Sequence, residues 1–161
     1  MAFPWRPHNA PHPPGRLYES ITYQRIIEDR RVALLCSQVP RPPMISIIDD
    51  DESVREALWG LVRSVGYAVN TFSSAEEFVN SDQLGKADCL ILDVAMPGMG
   101  GIELQRRLVA DNSRVPVIFI TAHEDEEIRA QAFRNGAEAF LIKPFNEEAL
   151  LDAIHGALDS Q

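Results

Sequence analysis

Hydrophobic positions along this chain follow two alternating patterns. Short segments at 44–48, 67–71, 88–93, 116–121 and 138–142 have the length and residue types of strands. The first, third and fourth of these segments are almost continuously apolar, as strands buried on both faces of a parallel sheet are. The pattern therefore predicts five strands, at least three of which have helices on both sides.

Between the strands, apolar residues recur at helical spacing. The clearest case is 53–65, where residues three or four positions apart form one apolar face. Ser53 and Glu56 fit a capping box at its start, and Gly66 suits the position just past its end. The other predicted helices are a short one from Ser73 or Ser74, then 101–111, 125–135, and 147–158 capped by Asn146.

Strands that alternate with helices predict an α/β fold, in which right-handed crossovers place helices on both faces of a parallel sheet. With five strand–helix pairs, we expect a flavodoxin-like, doubly wound (βα)5 architecture with a five-stranded parallel sheet in the order 2-1-3-4-5. In that order strands one and three are neighbours, and ligands bind in the crevice outside their carboxyl ends.

Residues 1–43 differ in composition from the rest. They contain eight of the 11 prolines, and proline opposes helices and central strands. We interpret 1–43 as a proline-rich N-terminal extension, either disordered or the product of a mis-assigned start, because Met44 opens the first strand. The alternative for 17–37 is a short amphipathic helix. The folded domain is predicted at 44–161.

The acidic net charge of the chain limits which classes of molecule it can bind. The net charge is -9, and residues 44–161 alone carry 9 basic and 21 acidic residues, a balance of -12. A domain this acidic would be repelled by DNA. No apolar stretch approaches the roughly 20 residues that a membrane helix needs. We predict no direct nucleic-acid binding and no membrane insertion.

The number and positions of the cysteines indicate the redox state of the compartment in which the protein folds. Cys36 and Cys89 have no metal-binding spacing, and Cys89 lies inside an apolar run, where a free thiol behaves as a small hydrophobic group. A disulfide between the extension and a buried strand is not expected, and no secretory signal precedes the domain. We therefore expect a reducing cytoplasm.

Four predicted strands end in polar residues. Asp49 and Asp50 follow strand one, Asp93 ends strand three, Thr121 ends strand four and Lys143 follows strand five. Carboxylates about 4 Å apart repel each other by roughly 1–4 kcal/mol, and a fold that keeps them together normally relieves this with a cation. Hard oxygen ligands suit Mg²⁺, which also neutralises a phosphoryl group. We therefore predict a magnesium pocket and a phosphate acceptor, with the ammonium and the hydroxyl around Asp93.

Taken singly, these residues have ordinary structural explanations. A strand-end aspartate is commonly a helix cap, and Asp51 is the member of the acidic triplet best suited to that role. Lys143 could be a solvated loop charge, and Phe140 could be core. Agreement at four strand ends favours one shared site over separate structural roles.

Residues 44–161 resemble a response-regulator receiver domain of two-component signalling. The match rests on five separated elements that agree in type, order and spacing. These are the pair Asp49-Asp50, the acceptor motif from Leu92 to Gly101 around Asp93, Thr121 followed by Ala122, the aromatic Phe140, and Lys143-Pro144-Phe145.

The resemblance implies that Asp93 accepts a phosphoryl group from a phosphohistidine. It also implies that Asp50 and Asp93 bind Mg²⁺ directly together with the backbone carbonyl of Ala95, while Asp49 acts through water. Such a protein is a phosphoacceptor rather than an enzyme, with slow autodephosphorylation left open. Ala95 and His123 occupy positions that tune phosphoryl lifetime in the family.

Switching and partners follow from the same resemblance. Thr121 and Lys143 would hold the phosphoryl oxygens, Phe140 would rotate inward when Thr121 moves, and the peptide bond from Lys143 to proline would be cis. The phosphodonor would be a sensor histidine kinase or a phosphotransfer protein. A downstream protein or a second copy would bind the fourth helix, strand five and the fifth helix. The fourth helix should move most easily, because Ile128 and Phe133 are its chief apolar anchors.

Two alternatives stay open. We interpret the chain as a stand-alone receiver without an output domain, because no linker follows the last helix; the alternative is the receiver portion of a transcription factor that lacks its DNA-binding domain. A Mg²⁺-dependent phosphohydrolase of the haloacid dehalogenase type belongs to another class. It is disfavoured because Ala95 stands where a second aspartate is needed as general acid.

Overall fold

The computed structural model describes residues 41–160, so the helix considered for 17–37 and the character of residues 1–40 lie outside the described part. Five strands alternate with five helices along this stretch. The strands are β1 (Met44–Ile48), β2 (Ala68–Phe72), β3 (Cys89–Asp93), β4 (Val117–Thr121) and β5 (Ala139–Ile142). The helices are α1 (Glu52–Ser64), α2 (Ala75–Asn80), α3 (Gly101–Ala110), α4 (Glu126–Arg134) and α5 (Glu147–Asp159).

The strands form one parallel sheet in the order β2-β1-β3-β4-β5, which confirms the predicted topology. Neighbouring strands end nearly in register, since Ile48 pairs with Leu92, Asp93 with Ile120 and Thr121 with Ile142. The residues that follow these ends are therefore brought to a common edge. Within residues 41–160, no helix combines the length and hydropathy needed to cross a bilayer.

Alternation along the central strands divides the core into two layers. Leu90 and Leu92 of β3 point to the layer under α2, α3 and α4, whereas Cys89 and Ile91 point to the layer under α1 and α5. Every residue of β3 and β4 is buried, which confirms the prediction that these strands are covered on both faces.

Helix α1 begins one residue earlier than predicted because its cap is Asp51 rather than Ser53. The Asp51 carboxylate accepts hydrogen bonds from the backbone N–H groups of Ser53 and Val54, so the proposed capping box from Ser53 to Glu56 is wrong. Asp51 thus has the structural role expected of it. At the other end Gly66 has φ +96°, the left-handed conformation predicted past the helix.

Helix α4 is held less by apolar packing than expected. Phe133, predicted as an anchor, is 44% exposed, whereas Ala132 is fully buried and Ile128 only partly so. The sequence pattern missed this because the small methyl group of Ala132 gives little hydrophobic signal. The weak attachment of α4 is even more pronounced than the sequence predicted.

Residues just before Met44 also contact the sheet. The Arg41 guanidinium lies 2.9 Å from a carboxylate oxygen of Asp88, and the carbonyl of Pro43 accepts a hydrogen bond from the N–H of Ala68. The N–H of Met44 donates to the other Asp88 oxygen at 2.7 Å. The boundary between 43 and 44 stays a prediction, and these contacts are ones that a chain starting at Met44 would change.

The entry into α3 generates a stability prediction. A Cβ on Gly101 would overlap the backbone carbonyl oxygen of Asp93 and press on the Leu92 side chain, whereas a Cβ on Gly60, inside α1, meets no described atom within 4 Å. Gly101→Ala should lower the free energy of unfolding by about 1–3 kcal/mol through overpacking. Gly60→Ala should raise it by roughly 0.5–1 kcal/mol, because alanine favours a helix interior. Urea unfolding of both variants measures this; equal effects would contradict the close contact.

Candidate functional site

Four strand ends converge at the carboxyl edge of the sheet. Asp49 directly follows β1, Asp93 ends β3, Thr121 ends β4 and Lys143 follows β5. Asp49, Asp93 and Thr121 are 1%, 5% and 2% exposed, so three polar side chains lie almost completely buried there. The predicted convergence of these groups is confirmed by the order and register of the strands.

Lys143 is the centre of this arrangement. Its ammonium nitrogen donates to Asp49 Oδ2 at 2.8 Å and to Asp93 Oδ1 at 3.0 Å. The backbone N–H of Lys143 donates to the carbonyl of Thr121 at 2.7 Å, which fixes where the side chain starts. The following peptide bond to Pro144 is cis, as the resemblance implied.

The ionisation of the site reflects burial first and charge second. Burial raises the pKa of Asp93, and the Asp49 charge adds to this, while the hydrogen bond and charge of Lys143 act in the opposite direction without cancelling it. Burial by itself would lower the pKa of Lys143, but the hydrogen bonds and charges of the two aspartates outweigh it and raise the pKa. The ammonium stays charged, and the Asp93 carboxylate is held in an environment that favours an added cation.

The carboxylate oxygens keep capacity for further ligands. Asp93 Oδ2 accepts from the N–H of Ala95 at 2.8 Å, and Asp49 Oδ1 accepts from the N–H of Asp51 at 2.8 Å. Each carboxylate oxygen thus has one partner and a second lone pair. The Asp50 side chain is exposed at the rim, and none of the described residues donates a hydrogen bond to it.

This donor set fits Mg²⁺ better than a metal that needs a full protein cage. In the part of the chain that the structure describes, no three His, Cys, Asp or Glu side chains lie close enough to enclose a metal ion by themselves. Mg²⁺ needs fewer protein ligands, because it is held by one or two carboxylates and keeps several waters. The carboxylates of Asp50 and Asp93 and the backbone carbonyl of Ala95 are oxygen donors of the kind that Mg²⁺ prefers.

Thr121 and Phe140, the two residues assigned to switching, lie on β4 and β5, on the other side of β3 from Asp49. Thr121 Oγ1 accepts a hydrogen bond from the N–H of His123 at 3.2 Å, so its hydroxyl is tied to the loop before α4. Phe140 is 8% exposed, and its ring centroid lies 6.0 Å from that of Phe119. The Phe140 ring therefore already points inward in this structure.

Two further residues support the site and were missed by the sequence analysis. Arg55 donates from Nη1 to the carbonyl of Asp49 at 2.7 Å, and Glu76 accepts from the N–H of Met99 in the loop after Asp93 at 2.8 Å. That backbone hydrogen bond lowers the pKa of Glu76. Arg55 lies four residues after the helix cap Asp51, about one turn into α1, and this spacing could have suggested that it lies near the site. Nothing in the sequence relates Glu76 to Met99, which is 23 residues away.

An apolar groove opens beside Lys143. It has a volume of about 390 Å³ and lies between α1 and the turn from β5 to α5. Its lining is mostly hydrocarbon, with Val54, Ala57 and Leu61 on one side and Pro144 and Phe145 on the other. An apolar surface thus lies next to the charged site.

Similarity to known proteins agrees with this geometry. A family model described as response regulator receiver domain matches residues 45–155. The response regulator protein TodT of Pseudomonas putida is 48% identical over 118 residues, which cover 73% of this chain and 52% of TodT. The transcriptional regulatory protein FixJ of Bradyrhizobium diazoefficiens is 37% identical over 114 residues, 71% of this chain and 56% of FixJ. The chain spans about half the length of the curated relatives it matches.

A solved structure extends the agreement to three dimensions. The crystal structure named FixJ-N superposes with a TM-score of 0.68 at 32% sequence identity. The superposition covers 76% of this chain and 98% of that one. What the chain shares with its relatives is thus one complete domain.

Proposed function

The chain belongs to the response regulator receiver family of two-component systems, and we propose that it is a phosphorylation-controlled switch whose phosphoacceptor is Asp93. Membership implies interaction with a histidine kinase or a phosphotransfer partner. The observation that carries the proposal is the placement of Asp93, buried at the sheet edge with the Lys143 ammonium 3.0 Å from its carboxylate. Asp93 thus combines a buried carboxylate, whose oxygens each keep a free lone pair, with an adjacent positive charge.

In the proposed reaction a carboxylate oxygen of Asp93 forms a bond to phosphorus as the bond from phosphorus to the donor's imidazole nitrogen breaks. The imidazole leaves with the electron pair of that bond. Lys143 and the Thr121 hydroxyl then hold the oxygens of the transferred group, since Thr121 ends β4, the neighbour of β3, and the Lys143 ammonium reaches Asp93 from the end of β5. Preorganised positive groups of this kind stabilise developing negative charge without reorganising.

Magnesium is part of the proposal. The residues that would hold it are Asp50, Asp93 and the backbone carbonyl of Ala95, with Asp49 acting through water. When bound, Mg²⁺ would neutralise the approaching phosphoryl group and the acceptor carboxylate together. The raised pKa of Asp93, caused first by burial, supports a cation there, because a bound cation would favour the ionised carboxylate.

The protein is proposed to be a phosphoacceptor and not a phosphohydrolase. Two residues beyond Asp93, where the hydrolase of the alternative needs a carboxylic acid, the chain has the exposed methyl group of Ala95. His123 is also exposed and could either shield or assist a hydrolytic water, so slow autodephosphorylation stays open in this proposal. Location in the cytoplasm remains part of the proposal.

A second candidate function, control of transcription, is favoured by the names of the relatives. FixJ is a transcriptional regulatory protein, and the match covers 56% of it. In this candidate the domain is the receiver portion of a transcription factor and acts on a DNA-binding segment. The interpretation as a stand-alone receiver stays a prediction beside it, and the chemistry proposed at Asp93 is the same in both.

The phosphodonor is proposed to dock over the groove beside Lys143. A donor imidazole must reach Asp93 from the open edge of the sheet, and the hydrocarbon lining by Ala57, Leu61 and Phe145 offers contact area next to that approach. The chemistry fits a helical surface that presents one histidine among apolar residues.

The output is proposed on the surface of α4, β5 and α5. Thr121 and Lys143 bound the segment that contains α4 and β5, so movement of these two residues toward a phosphoryl group pulls on both ends. A downstream protein or a second copy would bind this surface. The ligand shifts the balance only through its differential contacts with the two arrangements.

Labelling tests the acceptor. With Mg²⁺ and acetyl phosphate, the protein should gain the mass of one phosphoryl group, and Asp93→Asn should abolish that gain, because an amide oxygen is a poor nucleophile. Asp51→Asn is the matched control, since asparagine also caps helices and leaves Asp93 in place. Intact-mass spectrometry at low pH and short times measures the label. Persistent labelling of Asp93→Asn would contradict the assignment.

Thermal melting tests the metal. Mg²⁺ at about 100 times its dissociation constant should stabilise the folded state by roughly 2.7 kcal/mol. Asp50→Ala should remove most of this increment. Asp51→Ala should lower the baseline by about 1 kcal/mol through the lost cap and leave the Mg²⁺ increment intact. Equal Mg²⁺ increments in the two variants would show that Asp50 is not a ligand.

Hydrogen exchange tests the output surface. Addition of beryllofluoride, a mimic of the phosphoryl group, should change the protection of backbone amides across 124–145, because α4 has a single fully buried residue to hold it. The Asp93→Asn variant should show no change. Protection changes that stay within the loops at Asp50 and Asp93 would refute this output surface.

A further inference from the structure

A small cavity lies away from the carboxylate site, between the C-terminal half of α3 and the end of α4. Its volume is about 110 Å³. Leu108 and Val117 give it apolar walls, Gln105, Ser113 and Asn135 contribute polar groups, and the exposed Arg114 also lines it. None of these residues takes part in the proposed phosphoryl transfer.

Gln105 is an unusual residue for this place. It is 1% exposed, in the middle of a helix that otherwise buries apolar residues. Its Nε2 donates to the carbonyl of Ala132 at 3.0 Å, and the same carbonyl accepts from the N–H of Ala137 at 3.0 Å. With Gly136 N–H donating to Phe133, these bonds close the C-terminal turn of α4. Gln105 therefore fastens α3 to the end of α4.

Two polar atoms in the cavity are left without partners by the described residues. They are Gln105 Oε1, an acceptor, and Asn135 Nδ2, a donor, and both are buried. The orientation of the Gln105 amide is fixed, because turning it over would set its oxygen against the Ala132 carbonyl. A buried polar group without a partner costs about 1–3 kcal/mol, so two in one cavity indicate a missing ligand.

The pair of atoms selects the chemistry of that ligand. A cation would be repelled by the Asn135 amide N–H and by the Arg114 guanidinium. An anion, although attracted by Arg114, would be repelled by the Gln105 carbonyl and by the negative end of the α4 dipole. A small neutral molecule that both donates and accepts satisfies the two atoms. Water occupies about 30 Å³ in the liquid, which fits the cavity, and buried waters usually have two to four polar partners.

We propose that this cavity is a hydration site in which at least one resident water accepts from Asn135 Nδ2 and donates to Gln105 Oε1. Together with the direct bond to Ala132, the water attaches the C-terminal end of α4 to α3 through Gln105. Since Ala132 is the only fully buried side chain of α4, this polar attachment is a large part of what holds the helix end. The inference does not depend on phosphorylation.

Water–methyl NOE measurements on the full chain test the site. The methyl groups of Leu108 and Val117 should show NOEs to water with the sign of a resident molecule, and those of Ile91, buried elsewhere in the core, should show none. Gln105→Leu, which keeps the bulk and removes both polar atoms, should abolish the NOEs. Gln131→Leu is the matched control, the same change on α4 outside the cavity lining.

Amide exchange adds an independent readout of the attachment. In Gln105→Leu the N–H groups of Gly136 and Ala137 should exchange about three- to tenfold faster than in the control variant, the range expected for one or two lost hydrogen bonds. Gln105→Met serves if the leucine variant does not fold. No water NOE at Leu108 and Val117, an NOE with the sign of bulk water, or an NOE that survives Gln105→Leu would each overturn the proposal.

Discussion

Lys143 places one ammonium between two buried carboxylates, 2.8 Å from Asp49 and 3.0 Å from Asp93. Parallel strands in the order 2-1-3-4-5 bring Asp49 and Asp93 to adjacent ends, and the start of α1 adds the third carboxylate of Asp50. One positive charge does not balance these carboxylates, and burial, with a smaller contribution from the Asp49 charge, keeps the pKa of Asp93 raised despite the ion pair.

The same imbalance explains how a chemical change at Asp93 can be transmitted, on the function proposed for it. A phosphoryl group would alter both the charge and the position of the oxygens that Lys143 contacts. Lys143 is bonded through its backbone to Thr121, and Thr121 accepts from the N–H of His123 ahead of α4. A shift at the acceptor is thus passed through two hydrogen bonds to a helix with little apolar packing.

Much of the fold and of the site could be predicted from the sequence because strands buried on both faces leave a strong signal. The runs ending at Asp49, Asp93 and Thr121 have few polar residues, so their polar ends are conspicuous and their convergence follows from strand order. Features decided by a few atoms could not be predicted. Ser53 and Asp51 both suit a helix cap. Asp51 is the cap because its backbone is extended and its carboxylate accepts from the N–H groups of Ser53 and Val54. The contact of Glu76 with Met99 depends on where two loops meet in space.

A polar attachment suits helix α4 if, as proposed, this helix moves on phosphorylation. An apolar anchor the size of Phe133 would, if buried, resist displacement by roughly 1.5–3 kcal/mol, and here that ring is 44% exposed. The hydrogen bond from Gln105 to Ala132 contributes a net of about 0.5–1.5 kcal/mol, and an amide can exchange protein partners for water as the helix shifts. Buried polar groups also fix the register of α4 on α3 through direction, which apolar contact alone does not. The fold therefore combines a sheet whose strands β3 and β4 are buried throughout with one helix whose attachment is specific in direction and modest in strength.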